Sequence, residues 1–135
     1  MNDFNRQVIE EFRSNEGRVG GPFEGAPMVL LTTTGAKSGA ERTTPLVCLP
    51  GDGETVYVFA SKAGAPTDPA WYHNLVAHPD VTVERGTERY AATATPVTGA
   101  ERDAIYARQA ALRPNFAEYQ EKTTRTIPVV ALKPA

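Results

Sequence analysis

Cysteine and histidine are scarce in this sequence, which has one cysteine and two histidines among 135 residues. A single cysteine cannot form an internal disulfide, and Cys48 lies in the apolar run 46–49, where a buried and unreactive thiol is the usual case. His73 and His78 are five positions apart, whereas two histidines that share a metal on a helix are four apart. We therefore expect no metal site, and a protein suited to a reducing compartment.

Basic residues are not in excess, since 14 Lys and Arg stand against 16 Asp and Glu for a net charge of −2. A surface that neutralises nucleic-acid phosphates normally needs such an excess, so a nucleic-acid partner is not expected. Apolar runs are also short. None approaches the roughly 20 residues of a membrane-spanning helix, and the charged N-terminus lacks the apolar core of a signal peptide. These absences predict a cytoplasmic protein without a membrane span.

The motifs of several common enzyme classes are missing as well. The string Thr-Gly-Ala-Lys-Ser-Gly at 34–39 interrupts the contiguous Gly-Lys-Ser of a phosphate loop with Ala36. No Gly-x-Gly-x-x-Gly follows a predicted strand, and no Gly-x-Ser-x-Gly elbow is present. The sequence therefore disfavours a P-loop, a Rossmann dinucleotide site and a serine hydrolase.

Glycine and proline are abundant, with 11 of each, and they divide the chain into short elements. Apolar periodicity, β-rich runs and turn residues predict four helices, at 3–14, 68–77, 98–112 and 115–122. They also predict six strands, at 28–33, 42–49, 55–60, 81–85, 89–97 and 127–133. Asp68 is expected to cap the second helix, and Thr98 with Glu101 to form a capping box on the third.

Six strands joined mostly by short turns favour a small antiparallel barrel of the α+β class over a parallel sheet. Pro45 interrupts the second strand, which indicates a bulge or an edge. Residues 1–27 are predicted to be a helix and linker, and residues 28–135 to form the barrel domain.

A group of polar and cationic residues falls in the predicted loops. Lys37, Ser38 and Arg42 surround a glycine-rich turn, an arrangement that can hold a phosphate group without a P-loop. Residues 61–64 follow a central strand, where free N–H donors could meet the edge of a planar heterocycle. Trp71 could cover that ring, although a buried core position is equally compatible with its spacing.

Three ordered blocks of this sequence are similar to one known family: LLTTTGAKSGAERTTPL at 30–46, ASKAGAPTDPAWYHNLVAHPDVTV at 60–83 and TTRTIPVVAL at 123–132. They resemble the deazaflavin-dependent nitroreductase family, whose members bind coenzyme F420 on a split β-barrel. The resemblance implies an FMN-binding-like, six-stranded antiparallel split β-barrel with flanking helices. It extends from about residue 28 to the last residue.

The resemblance also implies a set of site residues. Lys37 and Arg42 would hold the coenzyme's phosphate and acidic tail, and Ser61 would be the catalytic donor on the substrate side. The full set implied for coenzyme binding is Lys37, Ser38, Arg42, Thr44, Pro45, Val47, Ser61, Lys62, Ala63, Gly64, Trp71, Tyr72 and Asn74. The residues implied for the substrate are Arg113, Phe116 and Tyr119.

The implied reaction is hydride transfer between the reduced deazaflavin and a small electron-poor acceptor such as a quinone, a nitro compound or an enone. Arg113 and Phe116 stand where relatives that reduce bicyclic nitroimidazoles have tyrosines, which favours a quinone-like or anionic acceptor. Two alternatives stay open, an FMN-binding split-barrel oxidoreductase and a non-catalytic F420 carrier. The chain is expected to be a monomer or homodimer.

The N-terminal helix covers the site or touches the membrane in relatives. Here residues 3–11 carry three acids and one arginine, so tight binding to anionic lipid is not expected. Peripheral contact with the inner face of the membrane remains an alternative to a purely cytoplasmic location.

Overall fold

The structure of the protein is a computed structural model that describes residues 3–135. Its helices are α1 (Asp3–Ser14), α2 (Ala70–Ala77), α3 (Gly99–Leu112) and α4 (Asn115–Glu121). Its strands are β1 (Met28–Thr34), β2 (Glu41–Pro50), β3 (Val56–Phe59), β4 (Asp80–Arg85), β5 (Glu88–Val97) and β6 (Val129–Pro134). Two 3₁₀ turns lie at Gly21–Phe23 and Lys62–Gly64. Each predicted helix and strand is present, with ends that differ by at most a few residues.

The six strands form a closed antiparallel barrel in the order β1-β2-β3-β6-β5-β4, which confirms the predicted architecture. Pairing of β1 with β4 closes the ring. The second strand pairs with β1 along 41–47 but with β3 only at 48–50. The first half of β2 therefore has a free edge, and Pro45 lies in it, as the missing proline N–H predicts. This free edge is the split in the barrel.

Three apolar clusters hold the fold together. The largest fills the barrel with inward side chains of alternating strand positions, among them Val29, Leu31, Val58 and Val83. A second cluster lies between the barrel and the α3–α4 pair. The third joins α1 to the barrel through side chains that include Val8, Ile9, Phe12, Met28 and Leu30. The segment before residue 28 is thus packed against the barrel wall.

Both predicted helix caps are wrong. Pro69 occupies the N-cap position of α2 and no side chain caps that helix. Asp68 instead binds the guanidinium of Arg125 at 2.7 Å, a contact between two charged groups. Thr98 stands at the N-cap of α3 without a side-chain cap bond, and Gly99 follows it with a φ of 66°, outside the helical range.

Cys48 is buried, as predicted, with 2 % of its surface exposed. Burial raises the pKa of its thiol to about 11, so the thiol is protonated and unreactive at neutral pH. Within residues 3–135, no three His, Cys, Asp or Glu side chains are grouped so as to hold a metal ion. No helix in the same part of the chain has the length and apolar character needed to cross a bilayer.

An ion pair ties α1 to β4 and makes stability depend on pH. Arg13 donates from Nη2 and Nε to the Glu84 carboxylate at 2.8 and 3.0 Å. These hydrogen bonds lower the pKa of Glu84 below its ordinary value of 4.5. A carboxyl whose pKa is lowered by folding stabilises the protein above that ordinary value, and the stabilisation is lost as the pH falls through the lowered pKa.

We therefore expect Glu84→Gln to reduce the free energy of unfolding by about 0.5–1.5 kcal/mol at pH 7, a modest figure because Arg13 is half-exposed and screened by solvent. The difference from wild type should shrink as the pH falls below 4.5. Urea denaturation at neutral and acidic pH measures it. A deficit of the same size at both ends of the pH range would contradict the assignment.

Candidate functional site

Two cavities adjoin at the split in the barrel. The first, here called the basic cavity, has a volume of about 920 Å³ and lies at the loop between β1 and β2. The second, called the apolar cavity, has a volume of about 1180 Å³ and lies along the free edge of β2. Both are lined by Asn5, Thr44, Ala70 and Trp71, so a ligand can extend from one into the other.

The loop of the basic cavity is held by its own turn and by α2. The N–H groups of Gly35 and Gly39 donate to the carbonyls of Ala40 and Gly35 at 2.8 and 3.0 Å, which closes the turn. Ser38 accepts a hydrogen bond from Ala40 N at 3.1 Å, and its hydroxyl proton is left to donate elsewhere. The loop is therefore ordered before any ligand binds.

Asn74 connects this loop to the barrel. Its Oδ1 accepts from Ala36 N at 3.0 Å, and its Nδ2 donates to Thr33 Oγ1 at 3.3 Å. The sequence placed Asn74 in the wall of the coenzyme site. The structure adds that this side chain fixes the position of the loop against α2.

Two cations face the basic cavity without a partner. Both Lys37 and Arg42 line it and are exposed. Neither side chain has a hydrogen bond or ion pair with another residue in the described range, 3–135. Glu41 and His73 also line the cavity. With one acid against two permanent cations, the local charge is positive although the whole protein is weakly acidic. An anionic group is the ligand that this arrangement favours.

The apolar cavity has three walls. The free edge of β2 contributes Thr44, Pro45, Leu46 and Val47, and the segment after β3 contributes residues 61–63. The third wall, at the junction of α3 and α4, contains Arg113, Asn115, Phe116 and Tyr119. Among the described residues that line this cavity there is no Asp or Glu, whereas Lys62 and Arg113 are cationic. Negative charge that develops inside it would be stabilised.

The wall formed by residues 61–63 has an unusual backbone. Lys62 and Ala63 have φ values of 46° and 54°, in the left-handed region that costs a non-glycine residue about 1–2 kcal/mol. Within residues 3–135, no group accepts a hydrogen bond from the backbone N–H of Ser61, Lys62 or Ala63. The segment thus offers free donors beside the cavity.

Most of the predicted site residues are brought together by the fold. Of the residues implied for coenzyme and substrate, those that line one or both cavities are Lys37, Ser38, Arg42, Thr44, Pro45, Val47, Ser61, Lys62, Ala63, Trp71, Asn74, Arg113, Phe116 and Tyr119. Trp71, for which core and site roles were both open, has a position compatible with both. It is 7 % exposed, belongs to the main core cluster and borders both cavities.

Two predicted residues lie outside both cavities. Gly64 is buried against α4, and a Cβ built on it would lie 2.8 Å from the carbonyl oxygen of Tyr119. Tyr72 packs against the barrel core, where burial is the main cause of the raised pKa of its phenol. Neither residue therefore borders the space that is open to a ligand.

Phe116, one of the residues implied for the substrate, is buried rather than exposed on the surface. Its ring packs against those of Phe59, Tyr106 and Tyr119 at centroid distances of 5.6, 6.4 and 5.3 Å. All four rings belong to or pack against the second core cluster, and three of them also line the apolar cavity: Phe59, Phe116 and Tyr119.

Sequence reasoning missed the contribution of the N-terminal segment. Phe4 and Phe23 line the apolar cavity with ring centroids 6.0 Å apart, and Asn5 lines both cavities. The signals in the sequence were the apolar face of α1, which includes Phe4, and the resemblance to relatives in which this helix can cover the site. Arg125, which holds the segment after β3, was also missed, although it lies within the block TTRTIPVVAL.

Comparison with known proteins places the chain among characterised sequences and structures. The family described as F420H(2)-dependent quinone reductase matches residues 4–134. A protein of Mycobacterium tuberculosis (strain ATCC 25618 / H37Rv) named F420H(2)-dependent quinone reductase is 42% identical over 125 residues, which cover 90% of this chain and 83% of that protein. The family match includes nearly all of α1 as well as the barrel.

Two solved structures are similar over most of their length. One, described as an F420-H2 dependent reductase (FDR-A), superposes with a TM-score of 0.72 at 42% identity, covering 79% of this chain and 94% of the other. The second, described as a domain-swapped dimer, has a TM-score of 0.74 at 37% identity and covers 97% of this chain and 98% of the other.

Proposed function

The chain belongs to the F420H(2)-dependent quinone reductase family, and from this premise we propose that it reduces a quinone with reduced coenzyme F420 at the two adjoining cavities. The family match and the named relatives confirm two predictions from the sequence, coenzyme F420 as the cofactor and an F420-dependent oxidoreductase as the enzyme class. The observation that carries the proposal is that a basic cavity with two unpaired cations opens into an acid-free apolar cavity beside Trp71.

The residues present fit a coenzyme with an anionic tail and a planar ring. Lys37 and Arg42 supply cationic donors for a phosphate, and Asn74 holds the loop that carries them. The apolar cavity supplies flat, largely apolar walls and the unused backbone donors of residues 61–63. Each cavity is large enough for a ligand-sized group, since typical small-molecule pockets measure roughly 300–1,000 Å³.

We assign the remaining predicted residues by the cavity that they line. Ser38 joins Lys37 and Arg42 at the tail, while the ring side is formed by Thr44, Pro45, Val47, Ser61, Lys62, Ala63 and Trp71. The acceptor lies against Arg113, Phe116 and Tyr119. Gly64 and Tyr72 act indirectly, through the segments that they support.

When bound, the reduced deazaflavin supplies a hydride to the acceptor. The protein's share is to exclude water with the apolar walls and to stabilise the negative charge that develops on the acceptor oxygen. Lys62, Arg113 and the Ser61 hydroxyl are the donors available for that charge. A quinone suits this site because its reduction places negative charge on oxygen. No nucleophilic side chain is required.

The oligomeric state and location are also proposals. The domain-swapped dimer described for one relative favours a homodimer, which light scattering on the purified protein would decide. The acid-rich α1 favours a cytoplasmic location over tight binding to anionic lipid.

The proposed function is tested by binding and turnover measured separately. Oxidised F420 is titrated into the protein with Trp71 fluorescence as the signal, and FMN is titrated in parallel. Reduced F420 is then mixed with a water-soluble naphthoquinone. We expect F420 to bind in the micromolar range, FMN to bind weakly, and the quinone to be reduced. Preferential FMN binding would support the FMN alternative. F420 binding without reduction of the naphthoquinone, or of a nitro compound tested in the same way, would support the carrier alternative.

Arg113 offers a specific test of the acceptor side. It lines the apolar cavity and donates from Nη2 to the Gly25 carbonyl at 2.9 Å, so one of its five N–H donors is used and the guanidinium is anchored. We expect Arg113→Gln to raise KM for an anionic hydroxynaphthoquinone by roughly 3- to 10-fold, with little change for the neutral parent naphthoquinone or in F420 affinity. Arg108→Gln, at an exposed position on α3 five residues earlier and outside both cavities, is the matched control. An equal change for both quinones would refute a charge-based role.

A further inference from the structure

A single guanidinium holds the wall segment after β3 from behind. Arg125 lies between α4 and β6, and its Nη1 and Nη2 donate to the carbonyls of Ala60 and Ser61 at 3.1 and 2.8 Å. Its Nε donates to the Ala65 carbonyl at 2.9 Å, and its Nη1 also pairs with Asp68 at 2.7 Å. One side chain thus fixes both ends of the segment that leads from β3 to α2.

Arg125 is itself held in place by its neighbours. Its backbone N–H donates to Thr123 Oγ1 at 3.3 Å, and its carbonyl accepts from Gln120 Nε2 at 2.7 Å. The Oε1 of Gln120 accepts in turn from Arg102 and from Ile127 N, at 2.7 and 3.1 Å. The guanidinium is therefore an anchored support for the wall segment.

The carbonyl contacts of Arg125 set the direction of two N–H groups. In a trans peptide the C=O and the following N–H lie in one plane and point in opposite directions. The structure contains no cis peptide among its described residues. Because the carbonyls of Ala60 and Ser61 point to Arg125, the N–H groups of Ser61 and Lys62 point away from it. Both residues line the apolar cavity, and Arg125 lines neither cavity.

The same contacts oppose a local tendency of the backbone to relax. Lys62 and Ala63 are in the left-handed region, which non-glycine residues leave when nothing restrains them. The short turn bonds from Gly64 N to Ser61 O and from Ala65 N to Lys62 O, at 2.9 and 3.1 Å, depend on that conformation. Arg125 binds three carbonyls along this stretch and so keeps the turn closed.

We propose that Arg125 is a positioning residue for the quinone reductase reaction, because it turns the Ser61 and Lys62 N–H groups away from itself on the wall of the apolar cavity. The catalytic part of this inference rests on the proposed function. The structural part, the orientation of the two N–H groups, does not. The oriented donors are the kind that stabilise charge developing on a bound ring or acceptor.

The structural part is tested without coenzyme. Amide hydrogen exchange of Gly64 and Ala65 is measured in wild type and in Arg125→Ala. We expect both amides to lose protection in the variant, while amides in the barrel strands keep theirs. Unchanged protection of Gly64 and Ala65 in a folded Arg125→Ala protein would overturn the proposal.

The catalytic part is tested by steady-state kinetics with reduced F420 and a naphthoquinone. We expect Arg125→Ala to lower kcat by about 10- to 100-fold while KM for the quinone changes much less, since the donors act on developing charge. Millimolar guanidinium ion should restore part of the lost kcat, and the same concentration of urea should not. A loss of kcat that guanidinium does not restore would assign Arg125 a purely structural role.

Two further variants keep the test decisive if Arg125→Ala does not fold. Arg125→Lys keeps the charge but cannot reach three carbonyls at once, so an intermediate kcat is expected. Wild-type kcat in this variant would contradict the proposal.

Asp68→Asn removes the ion pair and leaves the carbonyl contacts, so its kcat should stay near wild type. Absence of turnover in wild type would refute the proposed function alone, because the exchange experiment does not depend on turnover.

Discussion

Replacing Lys37 and Arg42 together with alanine is expected to weaken F420 binding by roughly 2–5 kcal/mol, or about 30- to 5,000-fold. Each side chain would lose a charge-assisted bond to the anionic tail of the coenzyme. Both residues are exposed and lack a partner within residues 3–135, so folding should be almost unaffected. Titration by Trp71 fluorescence gives the affinity, and thermal unfolding gives the stability.

The matched control removes the same charge elsewhere. Arg108→Ala with Lys133→Ala replaces two exposed cations that line neither cavity, and it should leave F420 affinity unchanged at moderate salt. Glu41→Gln removes the acid of the basic cavity and should act in the opposite direction, by strengthening binding. Equal affinity in wild type and the Lys37/Arg42 double variant would show that the tail of the coenzyme lies elsewhere.

The barrel was predictable because its signals are local. Val56 and Val58 alternate with Tyr57 and Phe59, and glycine or proline marks most turns, so strands and their order follow from neighbouring residues. The hairpin of β4 and β5 around Gly86 is one example. The register between β2 and β3, which leaves residues 41–47 of β2 without a partner strand on that edge, was indicated only by Pro45.

The part of the site that was predictable is also local. Lys37 and Arg42 converge because a glycine-rich turn of a few residues separates them, and the structure places both at one cavity. The positions of Phe4 and Asn5 at the cavities depend on α1 folding back onto the barrel, a tertiary contact between segments far apart in the sequence. The three similar blocks begin at residue 30 and so identify neither residue.

Long-range partners explain the clearest error. Asp68 has the residue type of a helix cap, but α2 begins at Ala70 and Pro69 occupies its N-cap position. Arg125 lies 57 positions further along the chain and binds this carboxylate directly. A pattern that spans one or two helical turns contains no information about a partner so far along the chain. For the same reason the contacts of Arg125 with the wall of the apolar cavity could not be predicted.

Gly64→Ala is expected to reduce the free energy of unfolding by about 2–5 kcal/mol. The φ of Gly64 is 82°, and a left-handed conformation costs an L residue about 1–2 kcal/mol. The added Cβ would also lie 2.8 Å from Tyr119 O and 2.9 Å from Lys122 Cβ, an overpacking that typically costs about 1–3 kcal/mol. Chemical denaturation measures the sum.

A second glycine separates the two costs of the Gly64 substitution. Gly53 has a φ of 60° in the turn before β3, and a Cβ there would have no neighbour within 4 Å, so Gly53→Ala carries the conformational cost alone. We expect it to lose about 1–2 kcal/mol. Equal losses at the two positions would mean that α4 moves aside freely.

If Gly64→Ala instead weakened F420 binding while stability stayed unchanged, Gly64 would contact the coenzyme directly. A loss of stability together with a displaced 61–63 wall is the outcome that its packing against α4 predicts.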